Sequence, residues 1–230
     1  MPALPPPSVL PLHSLFTEST NDRSELVRGP VADPSPSLAS TFEIVALASS
    51  AGGLKALTEV LKALPADFTP SIVVVQHLDP RHRSLMADIL SRRTPLRVKE
   101  AEDGDKLLPG TVYIAPPNQH LLVNPDRSLS LSQSELVHFV RPSADLLFES
   151  TAGSFKERAI AVVLSGSGSD GSMGVKAIKK VGGTVLAQDE PSSEFFGMPG
   201  AAIQTGCVDF VLSLPEISPA LITLARTGLA

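Results

Sequence analysis

A chain of 230 residues, 43% of them hydrophobic and with a mean hydropathy of +0.17, is long enough to bury a core in one sizeable α/β domain or two small ones. Charged residues make up only 19%, the net charge is −5 and the pI is about 5.5, which excludes the basic face that nucleic acid or anionic lipid requires. The single cysteine, Cys207, cannot close an intrachain disulfide. No apolar run reaches the roughly 18 residues of a membrane span, and prolines occupy the place of a basic signal-peptide segment. A cytoplasmic protein without direct membrane insertion is therefore expected.

Residues 1–40 hold 8 of the 21 prolines together with seven serines and little apolar periodicity. Such a composition does not repay the entropy of ordering, so this stretch reads as a disordered extension ahead of one folded domain, 41–230. From Thr41 onward, short β-branched apolar runs alternate with glycine-containing turns and helical periodicity, the pattern of a parallel sheet. The predicted strands are Phe42–Ala48, Ile72–Val75, Val112–Ala115, Ala159–Leu164, Thr184–Ala187 and Val208–Leu212. The predicted helices are Leu54–Leu64, Leu85–Arg92, Ala144–Phe155, Met173–Val181, Ala201–Gly206 and Glu216–Arg226. The segment His120–Leu131 breaks the rhythm, because two short alternating runs flank Asn124, Pro125 and Asp126, and reads as an inserted antiparallel hairpin. The expected fold class is α/β: a single doubly wound domain with a mostly parallel sheet, helices on both faces and that hairpin.

In an open parallel sheet, ligands bind beyond the carboxyl ends of the strands. Three predicted strand ends carry Ser49-Ser50-Ala51-Gly52-Gly53, Gln76-His77-Leu78-Asp79 and Ser165-Gly166-Ser167-Gly168-Ser169-Asp170-Gly171. A serine, a histidine and an aspartate thus fall at one edge. A serine hydroxyl needs a base within hydrogen-bond reach, and the base needs an acid to fix its tautomer. Each residue also has a plainer reading. Ser50 can cap the first helix, Asp170 can cap the helix that begins near Gly171, and His77 can be a hydrogen-bonded structural histidine.

Taken together, LASSAGGLKAL, VVVQHLDP and VVLSGSGSDGSMG resemble the landmarks of the chemotaxis protein-glutamate methylesterases (CheB), in correct order from about Glu43 to Leu214. VYIAPPNQHLLV, RPSADLLF and AQDEPSSEFFGMPGAAIQTGCVDFVL support the match. The resemblance implies a serine esterase without a cofactor, with Ser50 as nucleophile, His77 as base and Asp170 as the third triad member. Its expected substrate is the γ-glutamyl methyl ester of methyl-accepting chemotaxis receptors, with deamidation of receptor glutamines as a side activity. Ala51, Ser167, His120 and Met198 are candidates for the oxyanion hole or pocket, with a structural hydrogen bond to the hairpin the equal alternative for His120, and Arg141 is a candidate contact to receptor carboxylates or else a solvated arginine. Ala48 stands in place of the first glycine of the family's G-A-S-[TA]-G-G turn, Ala51 where many members have threonine, and Ser167 where enteric members carry methionine. Forty residues are too few for the receiver domain that often precedes the esterase, so a stand-alone enzyme is expected, regulated by a separate partner, by expression or not at all.

Two rival chemistries are available in the same residues. Gly166, Gly168 and Gly171 form G-x-G-x-x-G, compatible with a non-catalytic phosphate- or nucleotide-binding module. His77, Asp79 and His82 are close in sequence, but their spacing defines no metal motif and no metal is expected.

Overall fold

The computed structural model describes residues 42–78 and 84–227. The expected extension, 1–40, and the pair Asp79 and His82 lie outside the described residues. Chain order runs β1 (Ile44–Ser49), α1 (Gly53–Lys62), β2 (Ser71–Gln76), α2 (Met86–Ser91), β3 (Arg97–Glu100), β4 (Thr111–Ile114), then the hairpin β5 (His120–Val123) and β6 (Leu129–Ser132). It continues with α3 (Ala144–Phe155), β7 (Ala159–Val163), α4 (Ser172–Lys180), β8 (Thr184–Gln188), α5 (Gly197–Gln204), β9 (Phe210–Leu212) and α6 (Leu214–Thr227).

Seven strands form one sheet in the order β3-β4-β2-β1-β7-β8-β9, every pair parallel, while β5 and β6 pair antiparallel as a separate hairpin. This is the expected fold class. The alternation of side chains along β1 divides the core: Val45 and Leu47 enter a cluster with α1 and α6, whereas Ile44, Ala46 and Ala48 join the cluster with α3 and the hairpin. All six β1 residues are buried, which explains why a parallel strand covered on both faces reads as a continuous apolar run.

The chain leaves β1 in one direction toward β2 and returns on its other side with β7. The topological switch point therefore lies between β1 and β7, the place where doubly wound sheets bind their ligands. Two differences from the expected elements have physical causes. The edge strand β3 was not predicted, because Arg97-Val98-Lys99-Glu100 is half exposed with a single apolar residue, the charged composition that protects a sheet edge. Helix α5 begins at Gly197, four residues before the predicted start at Ala201; Pro199 fits its first turn, where the missing N–H has no intrahelical partner in any case. Among the described residues, no helix is long and apolar enough to cross a membrane.

Candidate active site

The turn after β1 is bent by Gly52, whose φ of +75° suits glycine, and it places Gly52 itself as the N-cap of α1. Ser50 is thus not the helix cap. It is held through its backbone instead: its N–H donates to Ser165 O at 3.0 Å, and its carbonyl accepts from Gly53 N at 2.9 Å and from Gln76 Nε2 at 2.7 Å. Its side chain is partly exposed.

Gln76, the last residue of β2, joins two of the three loops. Its Nε2 donates to the carbonyls of both Ser50 and His77, at 2.7 and 3.0 Å, while its Oε1 accepts from the buried Ser49 hydroxyl at 2.7 Å. The His77 N–H donates to Ser49 O at 3.1 Å. The serine turn and the histidine loop are therefore one hydrogen-bonded unit.

The third loop comes to the same histidine. His77 Nε2 lies 2.8 Å from Asp170 Oδ2, with the carboxylate 4% exposed. The same Oδ2 accepts from Ala144 N at 2.6 Å, and Oδ1 accepts from Ser143 Oγ at 2.9 Å and Asp145 N at 3.1 Å. Burial by itself raises the Asp170 pKa, but the His77 contact and these backbone donors outweigh it and hold the carboxyl below its ordinary range. An ionised Asp170 fixes the proton of a neutral His77 on Nε2, leaving the Nδ1 lone pair as the basic position.

Asp170 does not cap the helix that follows it, because the N-cap of α4 is Gly171 without a side-chain bond. It serves the N-terminus of α3 instead, and the exchange is reciprocal. Asp145, in the first turn of α3, accepts through Oδ1 from Met173 N at 2.9 Å and Gly174 N at 2.7 Å, the first turn of α4. The two helices pack so closely that a Cβ on Gly174 would stand 2.6 Å from Phe148 Cβ. Burial, with the Asp170 charge as a smaller contributor, pushes the Asp145 pKa up against the opposing backbone donors.

The remaining candidates separate. Ala51 is half-buried in the turn after β1, its carbonyl accepting from Ser165 Oγ at 2.8 Å, and Ser167 is exposed on the glycine-rich loop. Two pocket candidates need correction. His120 is 0% exposed; Nδ1 accepts from Ser143 N at 3.1 Å and Nε2 donates to Glu135 O at 3.0 Å, so it braces the residue that touches Asp170 and does not line the cleft. Met198 is 1% exposed, and its sulfur would meet a Cβ on Gly166 at 2.3 Å, so it supports the glycine-rich loop from inside the core. Arg141 lines the cleft, but its donors are engaged by Asn118 Oδ1 and by the Gln133 and Ser134 carbonyls, which makes it a loop brace in place of a receptor contact.

A cleft of about 280 Å³ opens beside His77, lined also by Leu78, Asn118, Leu136, Phe139, Val140 and Arg141. Sequence reasoning missed Gln76, Ser143 and Asp145. For Gln76 a signal existed, since an amide ending an apolar buried strand needs partners; for Ser143 the Ser-x-Asp pattern ahead of α3 signals only a cap. Among the described residues, no group of three or more His, Cys, Asp or Glu side chains is placed to hold a metal ion.

The CheB methylesterase family model matches residues 45–221. A protein-glutamate methylesterase/protein-glutamine glutaminase of Maricaulis maris is 40% identical over 207 residues, covering 86% of this chain and 52% of that protein. A putative protein of the same description from Leptospira interrogans is 40% identical over 188 residues and is covered over 97% of its length. The chain therefore spans about half the length of the first relative and nearly all of the second. The crystal structure of the Thermotoga maritima CheB methylesterase catalytic domain superposes with a TM-score of 0.77 at 39% identity, covering 80% of this chain and 98% of that one. With the family model matched over residues 45–221 and a solved catalytic domain of the family alike in fold and sequence, this chain belongs to the CheB methylesterase family.

Proposed function

We propose that the protein is a cytoplasmic serine hydrolase that removes methyl groups from γ-glutamyl methyl esters of chemotaxis receptors, releasing methanol. The observation that carries this reading is the 2.8 Å contact of His77 Nε2 with the buried Asp170 carboxylate, on a loop tied by Gln76 to the Ser50 turn. In this mechanism His77 Nδ1 takes the proton of Ser50 as Oγ attacks the ester carbonyl. Asp170 stabilises the resulting imidazolium. Backbone N–H groups of the Ala51 turn and the Ser167 loop receive the developing oxyanion, helped by the N-terminal end of α1 behind the serine.

Collapse of the tetrahedral intermediate breaks the carbon–oxygen bond to methoxide, which takes the proton from His77 and leaves as methanol. Water then attacks the acyl-serine, giving its proton to His77 and restoring glutamate and free Ser50. The same path on a glutamine side chain releases ammonia, more slowly because an amide is the poorer acyl donor. The glycine-rich loop does not need a phosphate ligand under this reading: Gly166 accommodates Met198, and Gly171 carries a φ of +96° as the α4 cap.

The test is release of labelled methanol from methylated receptor membranes. The parent protein is expected to release it catalytically and Ser50→Ala to lose at least about three orders of magnitude. Undiminished release by Ser50→Ala overturns the assignment.

A further inference from the structure

The turn Leu136–Val140, between β6 and α3, has no part in the chemistry above, yet it forms a wall of the cleft beside His77. Val137 and Val140 exchange both backbone hydrogen bonds, at 3.2 and 2.9 Å, which closes a two-residue hairpin turn. Its central residues, His138 and Phe139, take φ values of +48° and +65°. Glycine and asparagine are the residues that such a turn favours. A histidine and a phenylalanine there point to work done by the side chains.

Those side chains have different surroundings. Phe139 is 95% exposed at the cleft, next to Leu136, itself 53% exposed. His138 Nε2 stands 3.4 Å from Asp145 Oδ2, an oxygen that is buried and has no hydrogen-bond partner. Asp145 is the residue whose other oxygen holds the first turn of α4 and whose N–H donates to Asp170. His138, its side chain 56% exposed, thus brings the turn against the element that also carries the Asp170 contacts.

We infer that His138 is a positioning residue that latches this turn onto Asp145, so that Phe139 forms an apolar wall for the side chains flanking the esterified glutamate of the receptor. This rests on the methylesterase reading. A free phenylalanine on an unfastened turn loses its contact to the entropy of the loop, whereas a fastened one presents its ring to each arriving substrate at little ordering cost. The latch acts on binding of the protein substrate, not on the bond-breaking step.

Steady-state methanol release from methylated receptor membranes, with His138→Asn, His138→Gln and Phe139→Ala, tests this. Asparagine tolerates a positive φ but places its amide where the imidazole has Nδ1, short of Asp145; glutamine places its amide where Nε2 stands. His138→Asn is expected to raise KM about fivefold with kcat changed less than about twofold, and His138→Gln to return KM to within about twofold of the parent. Phe139→Ala is expected to raise KM by a similar factor, with the double variant His138→Asn/Phe139→Ala no worse than Phe139→Ala alone. Parent-like KM in His138→Asn, equal impairment by Asn and Gln, or additive losses in the double variant overturns the latch. A parent protein that releases no methanol overturns the methylesterase reading itself, a result distinguishable from these.

Discussion

Asp170 has two duties in this structure, and they can be separated by substitution. Asp170→Ala removes the acceptor of three donors besides His77: the Ser143 hydroxyl and the N–H groups of Ala144 and Asp145, all at a buried helix terminus. A buried donor left unpaired costs about 1–3 kcal/mol, and the variant also escapes the burial penalty of the carboxylate itself, so a loss of about 3–5 kcal/mol is expected. That is a large share of the roughly 5–15 kcal/mol by which domains are stable. Asp170→Asn is milder. Its best orientation keeps the carbonyl toward His77 and Ala144 and turns the amide toward Ser143, whose hydroxyl can rotate to accept. Only the Asp145 N–H is then opposed, at a cost of about 1–2 kcal/mol. Both variants lose the charge that stabilises the His77 imidazolium, and methanol release is expected to fall by about two to four orders of magnitude. With no tryptophan and one tyrosine in the chain, urea unfolding is best followed by far-UV circular dichroism. Because the folded pKa of Asp170 lies below the ordinary 3.8, its contribution is present above that value and disappears as pH falls through the folded pKa. The stability gap between parent and Asp170→Ala should narrow as pH falls through that range. An Asp170→Ala variant within about 1 kcal/mol of the parent at pH 7 would refute the helix-terminus argument.

Other substitutions test the supports of the site. Gly53→Ala puts a methyl group 1.9 Å from Gln76 Oε1 and 2.8 Å from Ser49 Oγ, so it should cost about 2–4 kcal/mol in urea unfolding and lower methanol release with it. Gln76→Glu faces a carboxylate to the Ser50 and His77 carbonyls in place of a double donor; a drop in kcat of about ten- to a hundredfold is expected, checked by the same release assay. Asp145 has a raised folded pKa, so its ionised form weakens the fold progressively as pH rises from the ordinary 3.8 through the folded value. Asp145→Asn keeps the acceptor for Met173 and Gly174, and in urea titrations its stability relative to the parent should improve from pH 3 to pH 7.

The fold was legible where burial dictates residue type. β1, β2 and β7 are covered on both faces and announce themselves as Ile/Val/Ala runs, and the Asn124-Pro125-Asp126 turn marks the hairpin. β3 was illegible because an edge strand needs backbone partners more than apolar side chains, and Arg97, Lys99 and Glu100 carry no such signal. The three loops of the site could be read from their positions after strands, since the switch point of a doubly wound sheet gathers them. What lies one contact further out could not. The crossed capping of α3 by Asp170 and of α4 by Asp145 depends on how two helices meet across the sheet, and sequence spacing favours the local cap each time. His120 and Met198 were read as pocket residues because they neighbour motif positions. Their full burial comes from tertiary packing, which places the imidazole under Ser143 and the thioether under Gly166.

In the proposed mechanism, Ser50 and His77 act as one catalytic unit against Asp170. Methanol release from methylated receptor membranes by Ser50→Ala, His77→Ala and the double variant Ser50→Ala/His77→Ala measures this most directly. Groups that act together lose everything once, so all three variants are predicted to share the same residual rate, at least about three orders of magnitude below the parent. Losses that multiply in the double variant, or a Ser50→Ala protein as fast as the parent, would contradict it.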